Sequence, residues 1–317
     1  MKKHQLYNSF TQKNEIEANF IKRFYIYQKE RFPLLAYIIL IGTFSFSAIA
    51  YSCICRNVNF VDIPTYLMGF FMAISLFLLL RIADEHKDFK DDIRFRQNLP
   101  VPRGVISLKE LSNIAWILIS LQILLQIAFY PKMLYLYTFV MLYMFLMFKE
   151  FFVADWLKKH QFYYAITHIA IVPIVDIYVS GFDWFLAGAN ISKGLWFFFV
   201  VSYCNSVVLE IGRKIRVPQQ ESEGVQTYTS MLGTNNAAIF WLFILSFTFL
   251  SALFASFYAN LSFISVLILT IVFIICSIPA ILFLYKKSIF LSKLIEISSL
   301  FWTIMMYLIL GAGQIII

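Results

Sequence analysis

The chain has 317 residues, of which 61% are apolar and 14% charged, with a formal charge of +8 and a mean hydropathy of +0.76. Soluble proteins average roughly 45–50% apolar and about 25% charged residues, so the polar surface left here is too small to cover a water-soluble globule. A soluble enzyme, a secreted disulfide scaffold and a disordered protein are excluded, which leaves an integral membrane protein.

Residues 1–33 carry Lys2, Lys3, Lys13, Glu15, Glu17, Lys22, Arg23, Lys29, Glu30 and Arg31, and lack the apolar core and small-residue cleavage site of a signal peptide. Within them, residues 15–31 mix Phe20, Phe24, Tyr25 and Tyr27 with charges, the pattern of an amphipathic helix lying on the inner leaflet. Nine apolar runs long enough to cross a bilayer follow, near 34–54, 60–82, 112–130, 133–153, 162–182, 195–212, 237–258, 261–285 and 294–316. Pro33 opens the first, where its missing N–H costs nothing. Alternating the connections between two sides puts all 26 Lys and Arg on one side except Arg56, Lys132 and Lys193. The positive-inside rule then predicts a cytoplasmic N-terminus and an outside C-terminus. The positive charge is thus a topology and lipid-surface signal that needs no nucleic acid. The expected architecture is one all-α polytopic domain over 1–317 in the cytoplasmic (inner) membrane, its nine helices bundled around a central cavity. Segments 83–111 and 213–236 are expected as cytoplasmic polar loops capping it. The four cysteines, Cys53, Cys55, Cys204 and Cys276, lie in or beside apolar runs and read as small packing residues.

Five acids crowd into nine residues directly after the second run: Asp84, Glu85, Asp88, Asp91 and Asp92. On a helix Asp84, Asp88 and Asp92 stand at i, i+4 and i+8, drifting about 40° per step over roughly 12 Å. Like charges so spaced repel. A solvated cap would not concentrate five acids, and a divalent-cation site explains them better. Mg²⁺ favours oxygen ligands and is commonly held by one or two carboxylates together with substrate phosphates. Arg94, Arg96 and Arg103 follow, with Lys87 and Lys90 interleaved, as cations able to pair phosphate oxygens.

A second polar island, between the sixth and seventh runs, holds Glu210, Arg213, Lys214, Arg216, Glu221, Glu223 and Thr227. It reads either as a second functional segment or as a positive-inside anchor. Deep in the fifth run Asp176, a costly residue in lipid, either serves the reaction by orienting an acceptor or stabilising a carbocation, or makes an interhelical hydrogen bond. His168 reads as packing. Glu150 either pairs with Lys149 or lines the cavity.

These residues bear a resemblance to the UbiA-type intramembrane prenyltransferases. Asp84, Asp88 and Asp92 resemble that family's N/D-x-x-x-D-x-x-x-D motif, and Asn98-Leu99-Pro100-Val101-Pro102-Arg103-Gly104 resembles its Asn-Arg-Pro-x-Pro-x-Gly element. Gly224, Thr227 and Gly233 are similar to the Gly-x-x-Thr tail of its second motif, and Arg31 and Pro33 to the Arg/Pro start of its first helix. The second D-x-x-x-D is replaced by Glu210 and Lys214, and Leu99 stands where the family has arginine.

The resemblance implies a Mg²⁺-dependent transfer of a prenyl group from a polyprenyl diphosphate to a lipophilic acceptor, with diphosphate released. It implies metal at Asp84, Asp88, Asp92 and Glu210, and substrate binding by Asn98, Arg94, Arg96, Arg103, Arg213, Arg216, Glu221, Glu223 and Thr227. Lys214 becomes a fixed positive charge and Asp176 a further catalytic candidate. Membrane lipids are the surrounding partner: at about 0.8 kcal/mol per CH₂, a five-carbon unit gains roughly 4 kcal/mol on leaving water. Competing readings are a terpene cyclase on the same fold, and a transporter or ion-binding protein with acids along its pathway. The D-G-x-x-A-R pattern of CDP-alcohol phosphotransferases is missing.

Overall fold

In the computed structural model the described residues are 15–221 and 227–314, and no strand occurs among them. Thirteen α-helices follow in order: α1 (Phe20–Arg31), α2 (Leu34–Arg56), α3 (Ile63–Phe95), α4 (Leu108–Phe129), α5 (Leu134–Phe148), α6 (Ala154–Lys159), α7 (Gln161–Ile169), α8 (Ile171–Ser180), α9 (Lys193–Arg213), α10 (Tyr228–Leu232), α11 (Thr234–Tyr258), α12 (Phe263–Tyr285) and α13 (Ile289–Ala312). Nine segments among the described residues are long and apolar enough to cross a membrane, with α7 and α8 together forming the fifth, Gln161–Ser180. The chain is a multi-pass all-α membrane protein.

Three spans differ from expectation. The second runs on to Phe95, because residues 83–95 hold neither Gly nor Pro. Its 33 residues make it about 50 Å long, well beyond a hydrocarbon core of ~30 Å. The acidic row therefore sits on a rigid helical extension rather than in a loop. The fourth span ends at Phe148, short of 153, because Glu150, Phe151 and Phe152 take left-handed φ of 48°, 52° and 60°. Such φ is uncommon outside glycine and breaks the helical ladder. The fifth span breaks at Ala170, where Pro173 lacks the N–H that would bond the Ile169 carbonyl. The expected loop 213–236 contains a 3₁₀ turn (Pro218–Gln220), α10 and the start of α11.

The described chain divides into two compact units, residues 15–39 with 74–131 and residues 40–73 with 132–314; α2 and α3 each run from one into the other. In the first unit Tyr27 of α1 packs with Ile82, Val101, Ile106 and Leu111. The turn 96–107 closes on backbone bonds from Arg103 N to Leu99 O and from Val105 N to Pro100 O, with Gly104 at φ +80°. Ser107 caps α4: its hydroxyl accepts from Glu110 N at 3.2 Å, and Glu110 Oε2 accepts from Ser107 N at 2.9 Å.

In the second unit α9 packs against α8, α11 and α13, and α12 against α11 and α13. Trp241 ties three helices by donating to Val208 O (3.1 Å) and Ser299 Oγ (3.0 Å). A Cβ on Gly311 would stand 2.5 Å from Ser47 Cα, the close small-residue crossing that membrane helices favour.

Candidate functional site

The first polar patch lies on the α3 extension. Glu85, rather than an aspartate of the row, is its anchor. It is 1% exposed, and its Oε1 lies 2.6 Å from Arg31 Nε and 3.4 Å from Arg81 Nε. Burying that carboxylate is tolerable because two guanidiniums face it. Arg31 thereby pins α1 to α3. Two more braces hold α1: Arg23 donates to Glu110 Oε1 (2.5 Å) and Val105 O (3.2 Å), and Arg103 donates to Glu30 Oε1 (2.8 Å). Burial raises the Tyr27 hydroxyl pKa well above its ordinary value, and the charge of Glu85 adds to the rise.

Asp84 is partly exposed and only loosely engaged, with Lys87 Nζ at 3.8 Å and Arg81 Nη2 at 3.9 Å. Asp88 is half-buried and makes no hydrogen bond or ion pair among the described residues; burial raises its carboxyl above the ordinary range, opposed by the charges of Lys87 and Arg81 and helped by those of Asp84 and Asp92. Asp92 is buried, with Oδ1 3.3 Å from Arg96 Nη1 and Oδ2 unpartnered. The drift of about 40° per four residues accounts for this, since two steps turn Asp92 about 80° from Asp84. The row expected on one face therefore resolves into a partly exposed pair, Asp84 and Asp88, and an inward member. These donors fit Mg²⁺: two carboxylates with oxygens still available are what the ion takes when phosphates and water complete its shell. Among the described residues no group of three or more His, Cys, Asp or Glu is assembled for a metal.

The arginines expected to meet substrate are placed otherwise. Arg94 lies over the Phe95 ring at 4.9 Å. Arg96 serves Asp92. Arg103 is taken by Glu30, Glu15 (3.2 Å) and the carbonyl of the exposed Asn98 (2.7 Å). The cations beside the accessible aspartates are Arg81 and Lys87. Arg81 was legible as a partner from its i, i+3 and i, i+4 spacing to Asp84 and Glu85.

The second patch ends α9. Glu210 Oε2 is 2.5 Å from Arg213 Nη2, and its Oε1 is 2.5 Å from Lys214 Nζ. Lys214 also lies 6.0 Å from the Tyr228 ring. Glu221 organises the loop, its Oε1 accepting from the hydroxyls of Thr227 (2.6 Å) and Thr229 (2.8 Å). Thr227 caps α10, and Arg216 donates its backbone N–H to Thr229 Oγ1 and a guanidinium N–H to Gln220 O. Burial pushes the Tyr228 hydroxyl up to about 12, with the nearby Glu210 charge adding to the effect. Glu223 and Gly224 lie outside the described residues.

Asp176 is fully buried between helices: Ser202 Oγ donates to its Oδ2 at 2.5 Å, and Tyr307 OH donates to Ser202 Oγ at 3.1 Å. Of the two sequence readings, the interhelical hydrogen bond is the one formed. The sequence missed an acid–imidazole contact between Glu150 Oε2 and His168 Nε2 at 3.4 Å, with Tyr164 stacked on the imidazole at 3.9 Å. The left-handed turn at 150–152 accompanies it, and no local spacing announces either.

No protein-family model and no curated protein matches the sequence. A solved structure described as a digeranylgeranylglyceryl phosphate synthase in membranes is similar, with 17% identity and a TM-score of 0.61 over 90% of this chain and 99% of that one. The two chains share a fold.

Proposed function

We propose that the protein is a Mg²⁺-dependent intramembrane prenyltransferase that moves a prenyl group from a polyprenyl diphosphate to a lipophilic acceptor and releases diphosphate. One observation carries this reading: two partly exposed carboxylates a helical turn apart, Asp84 and Asp88, on the extended end of a membrane helix, with Arg81 and Lys87 beside Asp84. The fold shared with a synthase whose product bears geranylgeranyl groups agrees with it. The N-terminus is taken as cytoplasmic, which puts α1 and the acidic row at the inner surface, where a soluble diphosphate headgroup arrives.

In this reading Asp84 and Asp88 would hold the metal. When bound, Mg²⁺ offsets the charge that builds up on the departing diphosphate. Lys87 and Arg81 supply fixed cations to the same oxygens, and Glu85 with Arg31 holds Arg81 and α1 in place. The allylic C–O bond breaks, the acceptor forms a new bond to that carbon, and the acceptor's proton leaves. The prenyl chain and acceptor occupy the apolar interior, which keeps water from the cation.

Purified protein given labelled geranylgeranyl diphosphate, Mg²⁺ and a panel of a hydroxybenzoate, a naphthohydroquinone and a glyceryl lipid should yield a prenylated product with one of them. It should form none in EDTA. A cyclised hydrocarbon or alcohol from the diphosphate alone would replace this reading with the cyclase.

A further inference from the structure

We infer that the patch ending α9 holds diphosphate with fixed cations, Lys214 and Arg213, and takes no metal ion. The inference rests on the proposed function and specifies the ligand chemistry of one of its two polar patches. A carboxylate binds a metal through oxygen lone pairs, and Glu210 has each oxygen 2.5 Å from a cationic nitrogen, Oε1 from Lys214 Nζ and Oε2 from Arg213 Nη2. A dication placed there would sit against two fixed positive charges. Glu221 is tied into the loop: its Oε1 accepts from two threonine hydroxyls, while its buried Oε2 has no hydrogen-bond partner among the described residues. Lys214 stands four residues after Glu210, on the same helical face, where a second carboxylate would complete a metal pair. The first patch is the opposite case, since Asp88 has no ion-pair partner among the described residues and Asp84 has only contacts near 4 Å.

The second patch is built to meet an anion. Arg213, Lys214 and Arg216 fall within four consecutive residues. The Arg213 side chain is 61% exposed, and its guanidinium carries five N–H donors, of which Glu210 engages only part. Lys214 has three donors on an ammonium that meets Glu210 Oε1 at 2.5 Å and lies 6.0 Å from the Tyr228 ring. Glu210 thus orients two cations.

Full-length protein in nanodiscs, titrated with Mn²⁺ in the presence of inorganic diphosphate and read by electron paramagnetic resonance, tests the inference. The expected result is one Mn²⁺ per chain in the wild type, with Lys214→Gln weakening diphosphate binding about tenfold at unchanged Mn²⁺ stoichiometry. Lys214→Arg, which keeps the charge, should bind within a few-fold of wild type, and thermal melting confirms that each variant is folded. Two Mn²⁺ per wild-type chain, or diphosphate affinity unchanged in folded Lys214→Gln, overturns the inference and leaves the transferase reading in place. Folded wild-type protein that binds neither Mn²⁺ nor diphosphate removes both.

Discussion

Replacing Glu85 by glutamine removes the charge that holds α1 to the acidic helix. The carboxylate is buried at 1% exposure, with Arg31 at 2.6 Å and Arg81 at 3.4 Å, and neither arginine has more than a fifth of its side chain exposed. Two unit charges about 4 Å apart at an effective dielectric near 20 attract by about 4 kcal/mol. Removing one partner of a buried pair typically costs about 3–5 kcal/mol, because the other charge is left without compensation. Arg31 loses this partner while Arg81 keeps Asp84 at 3.9 Å, so the lower part of that range is expected. Arg103→Gln is the control. Its contacts with Glu30 and Glu15 involve more exposed carboxylates, and it should cost no more than about 1 kcal/mol. Denaturant unfolding in detergent measures both variants, and tryptic cleavage after Lys22 and Lys29 reports whether α1 has come away. Adding Arg31→Gln to Glu85→Gln should cost little more, since contacting residues are not additive. A Glu85→Gln protein within about 1 kcal/mol of wild type, with α1 equally protected, would refute the claim that this carboxylate is the anchor.

Gly311→Ala should destabilise by about 1–3 kcal/mol through the clash with Ser47. Gly42→Ala, whose new Cβ would lie 3.7 Å from Phe70, should be neutral or slightly stabilising, and paired melting curves decide. Tyr228, raised to about 12 by burial, stays protonated above the ordinary value of about 10. Its stabilising contribution is therefore complete below pH ~10 and lost as pH climbs through ~12. The difference in tyrosinate absorbance between wild type and Tyr228→Phe should show that late transition; ionisation near pH 10 would contradict it. Arg94→Gln should leave diphosphate binding within about twofold of wild type, because that guanidinium covers Phe95 rather than the aspartates; calorimetry with inorganic diphosphate checks this.

The nine spans were legible because lipid leaves a spanning segment no choice but a long apolar helix, and the Lys/Arg asymmetry fixed their number. The continuation of α3 was half-legible. The i, i+4 spacing of its acids presumes a helix, yet placing them in a loop hid the consequence that Asp92 rotates inward. Arg94, Arg96 and Arg103 were picked for proximity in sequence, and the fold turns them to Phe95, Asp92 and Glu30 instead. Glu85 gave no hint of its role, because its partner Arg31 is 54 positions away. The same is true of Glu150 and His168, which meet only through a run of left-handed residues that nothing in Glu150-Phe151-Phe152 foretells. The i, i+4 spacing of Glu210 and Lys214, in contrast, is a plain sequence signal whose meaning came from seeing Glu210 paired with two cations.

Release of diphosphate from labelled geranylgeranyl diphosphate by purified protein, compared among wild type, Asp84→Asn and Asp88→Asn, bears most directly on the function. Mg²⁺-dependent release in the wild type, lowered at least about a hundredfold in each variant while the melting temperature holds, is the expected result. Release at the wild-type rate in both variants would contradict it.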